Sequence, residues 1–222
     1  MNKNERVSIA LEAGTAEGVL GRPSGVRAGL VVLQEWWGIV PHIEDLVARF
    51  ASHGFVALAP DLYHGKSTVD AEEASHLMHG LDWERATKEI AGAVQHLRQH
   101  EGCTKVGVVG FCMGGALTLL GAAATEVDAY VSYYGFPPAE ADLATVRAPG
   151  LIFFGEHETN FDVGAAQRFA DRQTAAGIPT ALRIYEGASH AFFNDTRQGV
   201  YHEAAANDAW RRTLQHFAQH LR

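Results

Sequence analysis

The chain has 222 residues, of which 47% are hydrophobic and 20% are charged, a composition typical of one globular domain with a substantial core. Its formal net charge of −8, with the basic residues scattered, argues against binding to nucleic acid or to an anionic membrane. No apolar run is long enough to predict a transmembrane helix, and the charged start of the chain lacks the apolar segment of a signal peptide. We therefore expect a cytoplasmic protein in which residues 1–222 form a single domain.

Strand patterns alternate with helix patterns along the chain. The predicted strands cover residues 7–11, 16–20, 29–34, 55–59, 105–109, 129–134, 150–155 and 180–185. The predicted helices cover residues 41–53, 69–79, 81–100, 113–124, 161–176 and 200–221. Because strands and helices alternate from residue 29 onward, we predict an α/β fold with a mainly parallel sheet of about eight strands and helices on both faces.

One stretch of the sequence predicts a reactive centre. An apolar strand pattern leads into Gly110-Phe111-Cys112-Met113-Gly114, and an apolar helix pattern follows. This Gly-x-Cys-x-Gly arrangement is typical of a nucleophile elbow, a sharp strand-to-helix turn that exposes one reactive side chain. Small neighbouring residues give such a strained turn its space. We therefore predict that Cys112 is a thiol nucleophile for acyl transfer.

Two further candidate residues follow later strands, at the sheet edge where ligands bind in open α/β sheets. Glu158 comes after the strand at residues 150–155, and His190 comes after the strand at residues 180–185. The order nucleophile, acid, histidine is that of the α/β-hydrolase fold. His190 would accept the thiol proton and return it to the leaving group, while Glu158 would orient the imidazole and stabilise its charged form.

The same reasoning predicts the groups that would stabilise a tetrahedral intermediate. The backbone N–H of Met113 would donate one hydrogen bond to the oxyanion, and an N–H near Trp36 would donate the other. Glu35 lies beside Trp36 at the end of a buried apolar strand, where an unpaired charge costs several kcal/mol. A functional role for Glu35 is therefore favoured over a structural one.

Together these residues resemble the dienelactone hydrolase (carboxymethylenebutenolidase) family of the α/β-hydrolase superfamily, over nearly the whole chain. The segments that carry the resemblance are residues 34–38 (QEWWG), 60–63 (PDLY), 110–115 (GFCMGG), 133–135 (YYG), 155–158 (GEHE) and 187–192 (GASHAF). The resemblance implies a cysteine–histidine–acid triad that opens enol-lactones to dicarboxylic acids without a cofactor. It also implies that Glu35 is the family's second carboxylate, which interacts with the thiol, and that Trp36 and Met113 form the oxyanion hole.

The sequence departs from this family first in the acid of the triad. The family's acid is usually an aspartate in a Gly-x-x-Asp motif, and here Glu158 stands in that place. Because glutamate has one more methylene, the loop must retract slightly if Glu158 is to hydrogen bond to His190. Asp162, four residues further along, is the alternative acid.

The second departure concerns the arginines that hold the substrate carboxylate in the family. Residues 65–83 contain no arginine, and Asn194 stands at the second arginine position. His76, His79 and Arg197 are the candidates to replace these arginines. The sequence therefore supports the fold and the acyl chemistry more strongly than it supports a particular substrate.

The aromatic residues near these motifs predict an apolar substrate pocket. Trp37, Tyr63, Tyr134 and Phe192 are the predicted substrate contacts, and ordinary core packing is the alternative explanation for them. The expected partner is a small-molecule lactone or ester, and the protein is expected to be a monomer or a small homo-oligomer.

Three functions remain open on the sequence alone. The first is a cysteine-dependent lactone or ester hydrolase similar to dienelactone hydrolase, and the second is a broad-range carboxylesterase of the same fold. The third is a hydrolase-fold module that binds a ligand without catalysis. No metal site is predicted, because no cysteine or carboxylate completes a ligand set around His76 and His79.

Overall fold

The computed structural model describes residues 4–11, 14–25 and 28–222. Within these ranges the chain forms eight strands and six helices. The strands are β1 (Glu5–Ala10), β2 (Thr15–Gly21), β3 (Ala28–Leu33), β4 (Phe55–Pro60), β5 (Lys105–Phe111), β6 (Ala129–Tyr133), β7 (Gly150–His157) and β8 (Thr180–Ser189). The helices are α1 (Pro41–Ser52), α2 (Ala71–His79), α3 (Trp83–Gln99), α4 (Met113–Ala124), α5 (Val163–Ala175) and α6 (Glu203–Leu221).

All of these strands form one sheet, in the order β1-β2-β4-β3-β5-β6-β7-β8. The pairs β1–β2 and β2–β4 are antiparallel, whereas every pairing from β4 across to β8 is parallel. Strands β3 and β4 are buried along their whole length, which explains their continuous apolar sequences. The prediction of a mainly parallel sheet in an α/β-hydrolase fold is confirmed.

Helices cover both faces of the sheet. A side chain at Gly29 of β3 would meet Leu97 of α3, whereas the adjacent Leu30 lies beside Gly107, where a side chain would meet Phe217 of α6. Because neighbouring residues of a strand point to opposite faces, α3 and α6 lie on opposite sides of the sheet. Helix α4 packs beside α3, and α1 packs beside α6. Among the residues described, no helix combines the length and the apolar character needed to cross a bilayer.

The strands β5, β7 and β8 extend beyond their predicted ends. As a result, Cys112, Glu158 and His190 each follow directly on the last residue of a strand. These three strands are parallel, so their carboxyl ends lie at the same edge of the sheet. The topology therefore brings the three candidate residues to one edge, where ligands bind in this class of fold.

Candidate active site

Cys112 lies at the turn between β5 and α4. Its backbone has φ 56° and ψ −117°, a positive-φ conformation that costs a residue with a side chain about 1–3 kcal/mol. The amide of Cys112 donates a hydrogen bond to the carbonyl oxygen of Tyr133 on β6, and its carbonyl oxygen accepts hydrogen bonds from Gly115 and Ala116 of α4. These bonds hold the strained turn in place, and together they give the geometry of a nucleophile elbow.

Three glycines leave room for this elbow. A Cβ on Gly110 would lie 2.0 Å from the carbonyl oxygen of Gly114, and a Cβ on Gly114 would lie 2.5 Å from the carbonyl oxygen of Gln34. A Cβ on Gly135, just after β6, would lie 2.1 Å from the carbonyl oxygen of Cys112. All of these contacts are with backbone atoms, so a side chain at any of the three positions would displace the turn.

The imidazole of His190 bridges the thiol and a carboxylate. His190 Nε2 lies 3.3 Å from Cys112 Sγ, and His190 Nδ1 lies 2.7 Å from Glu158 Oε2. The Glu158 side chain is 1% exposed, and its other oxygen accepts a hydrogen bond of 2.7 Å from the backbone N–H of Asn160. The ring of Phe161 stacks on the imidazole at 5.8 Å between centroids. The orientation of His190 is therefore held by a short hydrogen bond and by ring packing.

Asp162, the alternative acid, has a different position. Its Oδ1 accepts a hydrogen bond of 2.8 Å from the backbone N–H of Ala165, and it thus caps the N-terminus of α5. Its Oδ2 lies 3.4 Å from Arg168 Nη2. The structure thus places Glu158, and not Asp162, against His190.

Glu35 is buried at 1% exposure, just after β3. Its Oε1 accepts a hydrogen bond of 3.2 Å from the hydroxyl of Tyr134, and its Oε2 accepts one of 2.7 Å from the side-chain amide of Asn194. None of the hydrogen bonds described for Glu35 joins it to Cys112. Glu35 therefore lies in the site as a carboxylate held by Tyr134 and Asn194.

Asn194 is the partner that the sequence did not predict. It is 2% exposed and lies beyond β8, in the segment that follows His190. Its Oδ1 accepts hydrogen bonds from the backbone N–H and the hydroxyl of Thr196, which orients its amide toward Glu35. The only sequence signal for this role was a polar residue directly after an aromatic run, at the position that the family resemblance gives to arginine.

The surroundings of Cys112 oppose ionisation of the thiol. Burial raises the pKa of the Cys112 thiol well above its usual range, and the negative charges of Glu35 and Glu158 raise it further. Hydrogen bonds from the backbone N–H groups of Met113 and Trp36 act in the opposite direction and lower this pKa. Both predicted oxyanion-hole donors thus point at the reactive sulfur.

A cavity of about 910 Å³ opens onto the thiol. Its wall includes Glu35, Cys112, Met113 and His190, and the rest is mostly aromatic and aliphatic. The apolar wall residues are Trp36, Trp37, Met78, Trp83, Ala116, Phe136, Pro137, Pro138, Ala139, Phe161, Ala165, Ala191 and Val200. Such a wall suits an apolar acyl or alcohol group.

Of the four predicted substrate contacts, only Trp37 lies on this wall. Tyr63, Tyr134 and Phe192 are at most 6% exposed and belong to the hydrophobic core. Two of them contact site residues, since the Tyr63 hydroxyl lies 3.3 Å from Met113 Sδ and the Tyr134 hydroxyl bonds to Glu35. These three rings therefore support the site from behind, outside the described cavity wall, and their contact with substrate stays a prediction.

The three candidates to replace the missing family arginines lie in different parts of the structure. Arg197 lies on the cavity wall, with its guanidinium carbon 5.2 Å from the centre of a Trp37 ring. His76 and His79 are exposed on α2 and do not line this cavity. Among the described residues, no group of three or more histidine, cysteine, aspartate or glutamate side chains could hold a metal ion.

Comparison with known proteins agrees with this fold and identifies the family of the chain. The sequence model of the dienelactone hydrolase family matches residues 16–221. Protein usf of Aquifex pyrophilus is 32% identical over 215 residues, which cover 92% of this chain and 93% of that protein. A protein of Salmonella typhimurium provisionally named carboxymethylenebutenolidase is 31% identical over 213 residues, which cover 88% of this chain and 78% of that protein.

Solved structures of other proteins share the fold of this chain. A protein of Klebsiella pneumoniae provisionally described as a dienelactone hydrolase superposes with a TM-score of 0.85 at 26% identity and covers 99% of both chains. A dienelactone hydrolase-like promiscuous phosphotriesterase from metagenomic libraries has a TM-score of 0.88, and at 22% identity it supports the fold alone. Since the family model spans nearly the whole chain, this chain is a hydrolase that belongs to the dienelactone hydrolase family.

Proposed function

We propose that this hydrolase cleaves a carboxylic ester or lactone through a thioester on Cys112. The observation that carries the proposal is the position of His190, which lies 3.3 Å from Cys112 Sγ and 2.7 Å from Glu158 Oε2 through its two ring nitrogens. This is the relation that a nucleophile, a general base and an orienting acid require.

In the first half of the reaction, Cys112 Sγ attacks the carbonyl carbon and its proton passes to His190 Nε2. The carbonyl oxygen becomes an oxyanion, which the backbone N–H groups of Met113 and Trp36 stabilise. Glu158 accepts the Nδ1 hydrogen bond of the imidazolium and stabilises its charge. Collapse of the intermediate breaks the bond to the alcohol oxygen, which receives the proton from His190. In a lactone this alcohol or enol stays attached to the acyl chain.

In the second half, a water molecule loses a proton to His190 and attacks the thioester carbonyl. The C–S bond then breaks, the carboxylic acid leaves, and the thiol of Cys112 recovers its proton. No cofactor enters either half of this scheme.

The environment of the thiol limits wasteful reactions in the absence of substrate. Because burial and the charge of Glu35 raise the pKa of Cys112, the resting thiol keeps its proton until a carbonyl carbon is in place. A protonated thiol is a poor nucleophile and resists alkylation and oxidation.

The leading substrates are lactones and esters similar to dienelactone. A broad-range carboxylesterase is the second candidate, and the apolar wall of the 910 Å³ cavity favours it. Among the described wall residues the only cation is Arg197, so a small dicarboxylate would meet one guanidinium there. Comparing dienelactone with simple aryl esters separates the two candidates.

The test of the proposal is hydrolysis of p-nitrophenyl esters of several acyl lengths between about pH 6 and 9. Cys112→Ala and His190→Ala should each lower kcat by about a hundredfold or more, because each removes a group that acts in the transition state. Cys103→Ala is the matched control, since Cys103 is the other cysteine and lies outside the cavity. Wild-type protein that hydrolyses no ester or lactone, or a Cys112→Ala variant that keeps full activity, would contradict the proposal and leave the non-catalytic binding module.

A further inference from the structure

A second groove lies beside the active-site cavity. It has a volume of about 770 Å³ and runs between the segment at residues 136–147, which connects β6 to β7, and helix α5. The groove and the cavity share Phe136, Pro138, Ala139 and Ala165 in their walls. A ligand in the cavity can therefore extend past these shared residues into the groove.

The floor of this groove is apolar. Phe136, Leu143 and Phe169 are buried there, and the rings of Phe136 and Phe169 lie 5.8 Å apart. Ile178 extends the same floor toward β8. Such a floor accommodates a hydrocarbon chain.

The rim of the groove is cationic, although the chain as a whole has a net charge of −8. It carries Arg147, Arg168 and Arg172, and Asp142 is the one acidic residue among the described residues that line the groove. We call the space bounded by these three arginines the arginine groove. Arg168 and Arg172 are four residues apart on α5, where two like charges repel each other and destabilise the helix.

The three guanidinium groups meet little opposing charge among the residues that the structure describes. Arg147 Nη1 donates to the backbone carbonyl oxygens of Ala144 and Val146, at 2.5 and 3.0 Å, so its position is set by neutral groups. Arg168 has a long contact of 3.4 Å with Asp162. Arg172 makes no side-chain hydrogen bond or ion pair with any residue that the structure describes. The groove thus presents cationic donors to whatever enters it.

A buried polar atom in the same groove lacks a partner. Gln173 lines the groove and is 7% exposed, and its Oε1 has no hydrogen-bond donor among the described residues. A buried carbonyl oxygen without a donor costs about 1–3 kcal/mol. A ligand that brings a hydroxyl group to Gln173 would remove this cost.

We propose that the arginine groove binds the far end of the substrate, and that this end is a carboxylate with a neighbouring hydroxyl group. The inference rests on the proposed ester or lactone hydrolysis at Cys112. The carboxylate binds Arg168 and Arg172, the hydroxyl donates to Gln173, and an apolar chain crosses Pro138 and Ala139 to the carbonyl group at the thiol. Guanidinium groups bind carboxylates with charge-assisted, often bidentate hydrogen bonds.

This assignment differs from the two arginine positions expected from the family resemblance. Those positions lie in residues 65–83 and directly after His190, whereas the arginine groove is formed by α5 and the connection between β6 and β7. The substrates that fit are therefore longer than a small dienelactone, with an anionic end remote from the scissile bond.

The test uses p-nitrophenyl monoesters of dicarboxylic acids of increasing chain length, each compared with its methyl-capped neutral counterpart. At one chain length kcat/KM should favour the free acid. In the double variant Arg168→Gln/Arg172→Gln this preference, the ratio of kcat/KM for the free acid to kcat/KM for its neutral ester, should fall by about tenfold. Arg211→Gln is the control for the change in charge, because Arg211 is also an exposed helix arginine but lies on α6.

Arg197→Gln tests the competing explanation, in which the carboxylate binds Arg197 on the wall of the active-site cavity. If the preference for the free acid disappears in Arg197→Gln and survives in the double variant, the carboxylate binds at the cavity wall and the proposal is overturned. The proposal is also overturned if no chain length shows a preference for the free acid.

A binding measurement separates this proposal from the proposed function. In Cys112→Ala, calorimetry should show that a 2-hydroxy dicarboxylic acid of the preferred length binds more tightly than the parent dicarboxylic acid. Arg168→Gln/Arg172→Gln should remove binding of both acids, and Gln173→Leu should remove only the advantage of the hydroxyl group. If the wild type hydrolyses no ester but this pattern of binding is observed, the proposal for the arginine groove is supported and the proposed hydrolytic role of Cys112 is contradicted. Equal binding to Cys112→Ala with and without the two arginines would refute the groove.

Discussion

At the scale of single residues, Glu35 acts on Cys112 through its charge. Its two oxygens are occupied by Tyr134 and Asn194, and its negative charge is the second largest influence on the thiol after burial. In a buried site such a charge is weakly screened by solvent. Glu35 is therefore expected to set the pH at which the thiol becomes reactive.

Replacing Glu35 by glutamine tests this role. Removing the negative charge should lower the pKa of the Cys112 thiol, so the rate of alkylation by iodoacetamide should rise at a lower pH than in the wild type. The measurement is the alkylation rate against pH in the absence of substrate. Glu89→Gln is the control, because Glu89 is equally buried at 2% exposure and is not among the charges that act on the thiol. A profile that moves the same way in both variants would contradict this role.

The sequence predicted Cys112, Glu158 and His190 as a set because each belongs to a local motif and their order along the chain matches one fold. It did not predict that Asn194 bonds to Glu35, or that Tyr134 faces Glu35 from the core. Those contacts join residues far apart in the chain, and their geometry depends on how β3, β6 and β8 pack together. The sequence likewise does not reveal which of the aromatic residues near a motif face the cavity.

At the scale of elements, the start of α5 separates two carboxylates with different tasks. Glu158 directly follows β7 and faces His190, whereas Asp162 caps α5. A side-chain cap satisfies one of the free N–H groups at a helix start and stabilises a protein by about 1 kcal/mol. The two residues are therefore separable by experiment.

Asp162→Ala should lower the free energy of unfolding by about 1 kcal/mol and leave kcat nearly unchanged, because it removes the cap and the long contact with Arg168 but no group that bonds to His190. Glu158→Ala should lower kcat by about a hundredfold or more, because the imidazole loses its orienting partner. Urea denaturation and the p-nitrophenyl ester assay measure the two effects. The reverse outcome, with activity lost in Asp162→Ala alone, would make Asp162 the acid of the triad.

Element types were predictable because apolar periodicity is local, and the fourteen elements in the described part of the chain correspond to predicted ones. The ends of β7 and β8 were less predictable. A register irregularity between Gly155 and His157 lets β7 and β8 continue pairing beyond their apolar runs. This extension depends on the neighbouring strand, which the sequence pattern does not describe.

At the scale of the whole molecule, a histidine on the last helix couples the fold to pH. His216 lies on α6, where its Nε2 is 3.3 Å from the carbonyl oxygen of Pro149 and its ring is 4.7 Å from that of His220. Burial, and then repulsion from His220, lower the pKa of His216 from 6.5 to about 4. The folded protein thus prefers the neutral imidazole.

The pKa difference gives the direction of the pH effect. Above pH 6.5 His216 is neutral in both states and stability is at its full value. As the pH falls from 6.5 to 4, His216 binds a proton in the unfolded chain but stays neutral in the folded chain. The free energy of unfolding therefore decreases. We expect a decrease of about 2–3 kcal/mol from this residue. Urea denaturation at several pH values should show a weaker dependence in His216→Gln, whereas His76→Gln, exposed on α2, should follow the wild type.

The overall architecture was predictable from the alternation of strands and helices, but two global features were not. The exchange of β3 and β4 in the sheet order depends on long-range pairing, which no local pattern records. The cavity and the arginine groove depend on the path of residues 136–147, a connection with no helix or strand of its own. The substrate is therefore the property of this protein least accessible from its sequence.

The positive φ of Cys112 has a consequence for how this protein can change. A glycine at that position would relieve the backbone strain and would be selected in any screen for thermal resistance alone. The same exchange would delete the sulfur atom. Heat tolerance and turnover therefore make opposite demands on residue 112, and a directed-evolution campaign on this scaffold must select for both properties together.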